Sequence, residues 1–116
     1  MRYITTETES GAKLRTFNAN LSILRLRGLL GRTFDNFDAL RLKPCNSIHT
    51  IGMKYPIDAV YLDRKGKVID IDSEIEPGRT CKVRLKAAQV LELPSGKAAE
   101  LGIKPGTRLI IYNSEK

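Results

Sequence analysis

The sequence predicts a mainly β, α+β domain: a single compact antiparallel, barrel-like sheet closed by one or two short helices. Three observations point there. Short alternating or continuously apolar runs outnumber helical patterns. Gly, Pro, Asp and Ser punctuate the chain between those runs. The connections are short and turn-like, and repeats, linkers and low-complexity stretches are absent.

The elements follow in order. Arg2 to Thr6 and Lys13 to Phe17 are β-like, and Glu9-Ser10-Gly11 offers the turn between them. Asn20 is a competent N-cap for a helix over Leu21 to Leu30, although Leu24-Arg25-Leu26-Arg27 alternates like a strand. Ala39 to Leu42 predicts a short strand and Ser47 to Thr50 a further extended run, after which Gly52 and Pro56 bracket a turn. Ile57 to Leu62 is apolar at every position but Asp58, the pattern of a central strand covered on both sides.

Asp63-Arg64-Lys65-Gly66 fits a hairpin loop. Lys67 to Ile75 then returns with Ile69, Ile71 and Ile75 on one face and Asp70, Asp72, Glu74 and Glu76 on the other. Beyond Pro77-Gly78, Lys82, Arg84 and Lys86 alternate with Val83, Leu85 and Ala87, which predicts a hairpin pairing Glu74 with Lys82 and Asp72 with Arg84. Gln89 to Leu93 predicts another strand. Ser95 is placed to cap a short helix through Leu101 that Gly102 stops, and Arg108 to Tyr112 predicts the last strand.

Length and composition narrow the class. A chain of 116 residues is a single domain, 1–116, that buries a sufficient core without disulfides or metals. Twenty Lys and Arg against thirteen Asp and Glu give a net charge of +7, which speaks to solubility and encounter more than to a specific partner. Met1-Arg2-Tyr3-Ile4-Thr5 opens no signal peptide, and no window is apolar enough to span a bilayer. The expectation is a cytoplasmic protein without membrane insertion. Cys45 and Cys81 are too few for a disulfide scaffold, and free thiols are expected in a reducing compartment.

Several blocks also resemble a known family. Gly28-Leu29-Leu30-Gly31-Arg32, Met53 with Pro56-Ile57-Asp58 and Leu62-Asp63, and Leu91-Glu92-Leu93-Pro94-x-Gly96 are similar to domain-of-unknown-function family one hundred and ninety-two, from about Leu14 to Ile111. The Cys45-x-x-Ile48-His49-Thr50 stretch resembles a bacterial subgroup in which it replaces an aromatic Trp-Met-Lys segment. The resemblance implies a small barrel-like β domain with no established activity. Some relatives carry export signals, and some lie near pilus-assembly genes, which implies an accessory part in pilus assembly or secretion. Where many relatives read Gly-Asp after the last turn, this chain reads Gly106-Thr107.

The stretch Pro44 to Asp63 gathers the only histidine with one cysteine and one methionine, so candidate chemistry concentrates there. Cys45 and His49 suggest a nucleophile and base, with Asp58 or Glu92 to orient the imidazole. Four positions along an extended strand is ~13 Å, so that set works only if the segment bends. The bland alternative packs Cys45 as a small apolar residue and ties His49 to a carboxylate.

Asp58 reads mainly as a backbone acceptor near a turn, with a pocket role as the alternative. Glu92 reads as a salt-bridge partner of Arg27 or Arg32, or as an acceptor near Ser95-Gly96. A zinc site from Cys45, His49, Cys81 and a carboxylate lacks ligand spacing, so no metal and no cofactor are expected. Gly96-Lys97 lacks the earlier glycine of a phosphate loop. The acidic row Asp70 to Glu76 is too flat to wrap calcium.

The reading is therefore a non-catalytic ligand-binding or protein-interaction module. Its site is Ile48, His49, Met53, Asp58 and Glu92, and its partner an unknown small ligand or protein. A Cys/His-dependent hydrolase or transferase using Cys45, His49 and Asp58 is the first alternative. A weak nucleic-acid binder using the basic first third of the chain is the second, with Tyr3 and Phe17 the nearby aromatics.

Overall fold

The computed structural model describes residues 2–20, 34 and 36–114. Among these, seven strands build one sheet: β1 (Arg2–Glu7), β2 (Lys13–Asn20), β3 (Ala39–Lys43), β4 (Ile57–Leu62), β5 (Val68–Ile75), β6 (Gln89–Pro94) and β7 (Ile110–Tyr112). One short helix, α1 (Lys97–Glu100), follows β6. Spatial order is β5-β4-β6-β3-β2-β1-β7. The sheet curls into a half-barrel whose outer strands meet at one corner. There Lys67 pairs with Arg108, Val68 N–H donates to Thr107 O and Leu109 N–H to Gly66 O, both at 2.8 Å. These bonds satisfy groups that an open sheet edge would leave bare.

Direction is where the sheet departs from an all-antiparallel prediction. β2 and β3 run parallel, from Thr16 beside Ala39 to Asn20 beside Lys43, so the sheet is mixed. Alternation tells which face a side chain takes and is silent on strand direction. A parallel pair needs a long crossover, and the connection 21–38 supplies it. The helix expected over Leu21–Leu30 falls in that connection, outside the described residues. β4, read from sequence as central, lies second from one edge, between β5 and β6.

Local chemistry sets the hairpins. Gly11 takes φ +91° in the β1–β2 turn. In the β4–β5 turn the Asp63 Oδ1 accepts from Lys65 N–H at 2.8 Å and Lys67 N–H at 2.9 Å. Gly66 there has φ +87°, and a Cβ on it would collide with Leu109 O at the barrel corner. Glycine at this position is required twice over.

Two apolar clusters occupy the two faces. Leu14, Ala39, Val60, Leu62, Leu91 and Leu93 pack with Ala98 of α1, Ile103 and Leu109 on what we call the helix face. Phe17, Leu40, Leu42, Ala59, Tyr61 and Val90 lie on the opposite, loop face, beneath Phe37, Ile48 and Ala87. Fully buried side chains such as Ile57, Tyr61, Leu62 and Leu91 each contribute ~1.5–3 kcal/mol of apolar burial.

Three local expectations are corrected. β5 does not alternate cleanly: register shifts between Ile57 and Ala59 and between Tyr61 and Leu62 send Ile69 and Ile75 to the loop face and Ile71 to the helix face. Such bulges insert a residue and break the period of two. Residues 81–88 do not form a ladder with β5. Segment 79–84 instead runs beside 46–50, through Thr50 N–H to Arg79 O, Cys81 N–H to Ile48 O and Arg84 N–H to Asn46 O. Ser95 does not cap α1. The N-cap is Gly96 at φ 84°, with no side-chain cap of its own.

Candidate functional site

Strand register lays one row of side chains across the loop face. Tyr3 opposes Phe17, Phe17 opposes Leu40, Leu40 opposes Glu92, Glu92 opposes Ala59 and Ala59 opposes Asp72. Neighbouring members of such a row stand ~5 Å apart. Glu92 is the charged residue at its middle, between Leu40 and the small Ala59. It is only 7% exposed, and among the described residues nothing donates a hydrogen bond to its carboxylate. Burial pushes its pKa up to about 7.

An aromatic chain extends the row away from Glu92. Tyr3 and Phe17, Phe17 and Phe37, and Phe37 and Phe34 each stack with centroids 5.5 Å apart, and Tyr55 joins Phe34 at 5.9 Å. The Arg15 guanidinium sits 3.7 Å over the Tyr3 ring. Ile48 is buried in this layer, and Met53, Cys45 and Tyr55 are packed against it half-buried.

Asp58 belongs elsewhere. It opposes Leu93 and so points to the helix face, where it is fully buried. Oδ1 accepts from Glu74 N–H at 2.8 Å and Gly96 N–H at 3.1 Å, and Oδ2 accepts from Ala98 N–H at 2.9 Å. This carboxylate does the capping expected of Ser95 and also fixes the bulged Glu74, whose φ is 52°. The backbone acceptance near Ser95-Gly96 considered for Glu92 is performed by Asp58. Arg27 and Arg32, considered as ion-pair partners of Glu92, lie outside the described residues.

Cys45 and His49 are not joined. The Cys45 Sγ–H donates to Ser47 O at 3.1 Å, and burial, with a further contribution from the Glu92 charge, raises its pKa. His49 is exposed and bridges Thr80 through its backbone. Neighbouring Thr50 clamps the 76–79 turn, its Oγ1 donating to Glu76 O at 2.7 Å and accepting from Arg79 N–H at 2.9 Å. Cys45 and Cys81 are both free thiols. A thiol with a raised pKa holds little thiolate at neutral pH, which is the form a nucleophile needs.

Two polar clusters go beyond the sequence reading, which anticipated the Asp72–Arg84 pair of the first as part of a ladder and missed the second. Arg84 donates through Nη2 to Asp72 Oδ1 at 2.6 Å and through Nε to Asp70 Oδ2 at 3.0 Å. Its guanidinium lies 4.2 Å over Tyr61, whose hydroxyl donates to Asp72 Oδ2 at 2.9 Å. Inside β3, Arg41 is buried and donates to Gln89 Oε1 at 2.8 Å and Asn18 Oδ1 at 3.2 Å. An arginine between Leu40 and Leu42 in a strand buried at four of five positions was the available signal for the second. Among the described residues no group of three His, Cys, Asp or Glu side chains is placed to hold a metal ion.

Comparison with known proteins agrees with this architecture. Among curated proteins, none matches the chain. A protein of unknown function from Novosphingobium aromaticivorans is similar in structure at TM-score 0.75 and 25% identity, over 93% of this chain and 83% of that one. A Sinorhizobium meliloti protein described as "a putative transcription regulator" is similar at TM-score 0.77 and 22% identity, over 94% of this chain and 92% of that one. The second likeness shows the fold alone. The model of the DUF192 family, described as uncharacterized ACR, matches residues 4–111, and the chain is a member of that family.

Proposed function

We propose that this chain is a non-catalytic binding domain whose site is floored by Glu92 on the loop face, with Ile48 and Met53 in the surrounding layer. The observation that carries the reading is the carboxylate of a residue only 7% exposed, set between Leu40 and Ala59, with no donor among the described residues. A buried acceptor of this kind is expensive to maintain and gains most from a ligand that brings its own N–H or positive charge. An amine-bearing small molecule with an apolar body, or an amine-bearing side chain of a partner protein, has the matching chemistry. Asp58 supports the site from the opposite face by holding β4, β5 and α1 together. His49 sits at the exposed edge of the covering ribbon.

The Cys/His-dependent enzyme is not the reading favoured, because the Cys45 thiol is turned to Ser47 O and held protonated. The setting we propose, an accessory part in pilus assembly or secretion, rests on the family resemblance, as does assignment to the Cys-x-x-Ile-His-Thr subgroup. A thermal-shift screen with short alkylamines and arylamines tests the binding role. Stabilisation of the native chain that Glu92→Gln abolishes is expected. Equal responses from the two proteins, or none from either, would overturn it.

A further inference from the structure

The segment covering the loop face turns outward at Leu85-Lys86, where Ala87 N–H donates back to Arg84 O at 2.9 Å. Arg84 points inward to Asp70 and Asp72, so its neighbours on either side point out. Leu85 is 87% exposed and Val83 56%. Lys82 and Lys86 flank them, both exposed. A groove of about 430 Å³ adjoins the turn, lined by Lys43, Asn46, Arg64, Ala87 and Ala88, and no Asp or Glu lines it. Asp63, next to Arg64 in the chain, is committed to the amides of Lys65 and Lys67. Among the described residues no ion pair engages Lys43, Arg64, Lys82 or Lys86.

We propose that this turn is a peripheral membrane anchor, in which Val83 and Leu85 enter the interface of an anionic bilayer while Lys82, Lys86, Lys43 and Arg64 meet its lipid headgroups. Exposed aliphatic side chains ringed by unpaired cations fit that surface on both counts: apolar area enters the acyl boundary, and the lysines are drawn to the negative leaflet. A nucleic acid would satisfy the charges but leave Leu85 without a role, because bases stack on aromatic side chains and the patch has none. The anchor is superficial. No described helix is long and apolar enough to cross a membrane.

Vesicle sedimentation tests the proposal. The native chain is expected to pellet with vesicles of phosphatidylcholine and phosphatidylglycerol in equal parts, to stay in solution with phosphatidylcholine alone, and to be released by salt. Lys82→Gln and Lys86→Gln each weaken binding about fivefold, and Leu85→Ser weakens it roughly tenfold. The chain has no tryptophan, so Leu85→Trp provides a single reporter whose emission should shift to the blue on anionic vesicles. All three positions are exposed, and circular dichroism checks that each of the four variants stays folded. Failure to pellet overturns the proposal. So does binding with no shift at Trp, or binding that Leu85→Ser leaves unchanged. Retention on a single-stranded oligonucleotide, with no vesicle binding, would overturn it in favour of nucleic acid.

Discussion

Asp58 and Glu92 are diagonal neighbours on paired strands and point to opposite faces of the sheet. Asp58 stands opposite Leu93 and Glu92 opposite Ala59. The first carboxylate accepts three backbone N–H bonds, and the second has no described donor. Two acidic residues of similar burial therefore have contrary consequences for stability, and the contrast can be measured.

Asp58 should be among the most sensitive positions in the molecule. In Asp58→Asn the new NH2 group faces a backbone N–H, so at least one bond is lost and two donors are opposed. We expect destabilisation of roughly 2–4 kcal/mol, and more for Asp58→Ala, which leaves three amides unsatisfied. Urea unfolding reports this as a lower midpoint at unchanged slope. A loss under about 1 kcal/mol for Asp58→Ala would mean that these bonds do not hold α1 and the bulge in place.

Glu92 should behave in the opposite sense. Its folded-state pKa of about 7 lies above the ordinary 4.5, so the folded chain holds this proton more tightly than the unfolded chain does. The stability it contributes is fully present below about pH 4.5 and is lost as pH rises toward 7. The loss is on the order of 3 kcal/mol. Glu92→Gln should flatten the melting temperature across that window and melt higher than the native chain near pH 8. Asp70, held low by Arg84, and Asp63, held low by the Lys67 amide, act only at more acid pH. A variant that melts lower than the native chain near pH 8 would show that the ionised carboxylate is favourably paired.

Particular residues show what the sequence could and could not reveal. Ile57 to Leu62 was legible as a strand because burial on both faces leaves a run apolar at every position but Asp58, and Gln89 to Leu93 because its apolar residues lie on both faces and Pro94 closes it. The turns at Gly11 and Gly66 were legible because few residues take their φ. Ser95 looked like a helix cap because capping is usually local, yet Asp58 reaches α1 from another strand. Lys82 to Ala87 alternates like a strand, but its period arises because Arg84 turns in to Asp72 while Val83 and Leu85 turn out.

The Asp72–Arg84 pairing was thus foreseen in its partners and misjudged in its architecture. Of the proposed site residues, Ile48, Met53 and Glu92 belong to the loop face, and Asp58 belongs to the other. Assigning β4 and β6 side chains to faces requires the register, which no single strand contains.

The Arg84 cluster should be graded by exposure. Arg84 is 16% exposed, its partner Asp72 27% and its partner Asp70 47%. Screening by water weakens the outer pair more than the inner one. A double-mutant cycle of Arg84→Ala with Asp72→Ala should give a coupling of about 1–2 kcal/mol, and the cycle with Asp70→Ala less than about 1 kcal/mol. Tyr61→Phe, which removes the hydroxyl bond to Asp72, should cost about 1 kcal/mol. Equal couplings to the two aspartates would contradict this ranking.

The thiols separate a binding domain from an enzyme. Burial is the leading cause that raises the pKa of both Cys45 and Cys81, and each is packed against the loop-face cluster. Thiolate is the reactive form, so alkylation by iodoacetamide near pH 7 should proceed more slowly at either residue than in the urea-unfolded chain. Cys45→Ser should keep the fold, because its hydroxyl can donate to Ser47 O as the thiol does, and should leave binding at Glu92 intact. Rapid alkylation confined to Cys45, slowed by His49→Gln, would mark an activated nucleophile and overturn the non-catalytic reading. Slow alkylation at both sites is what a pair of protonated, packed thiols requires.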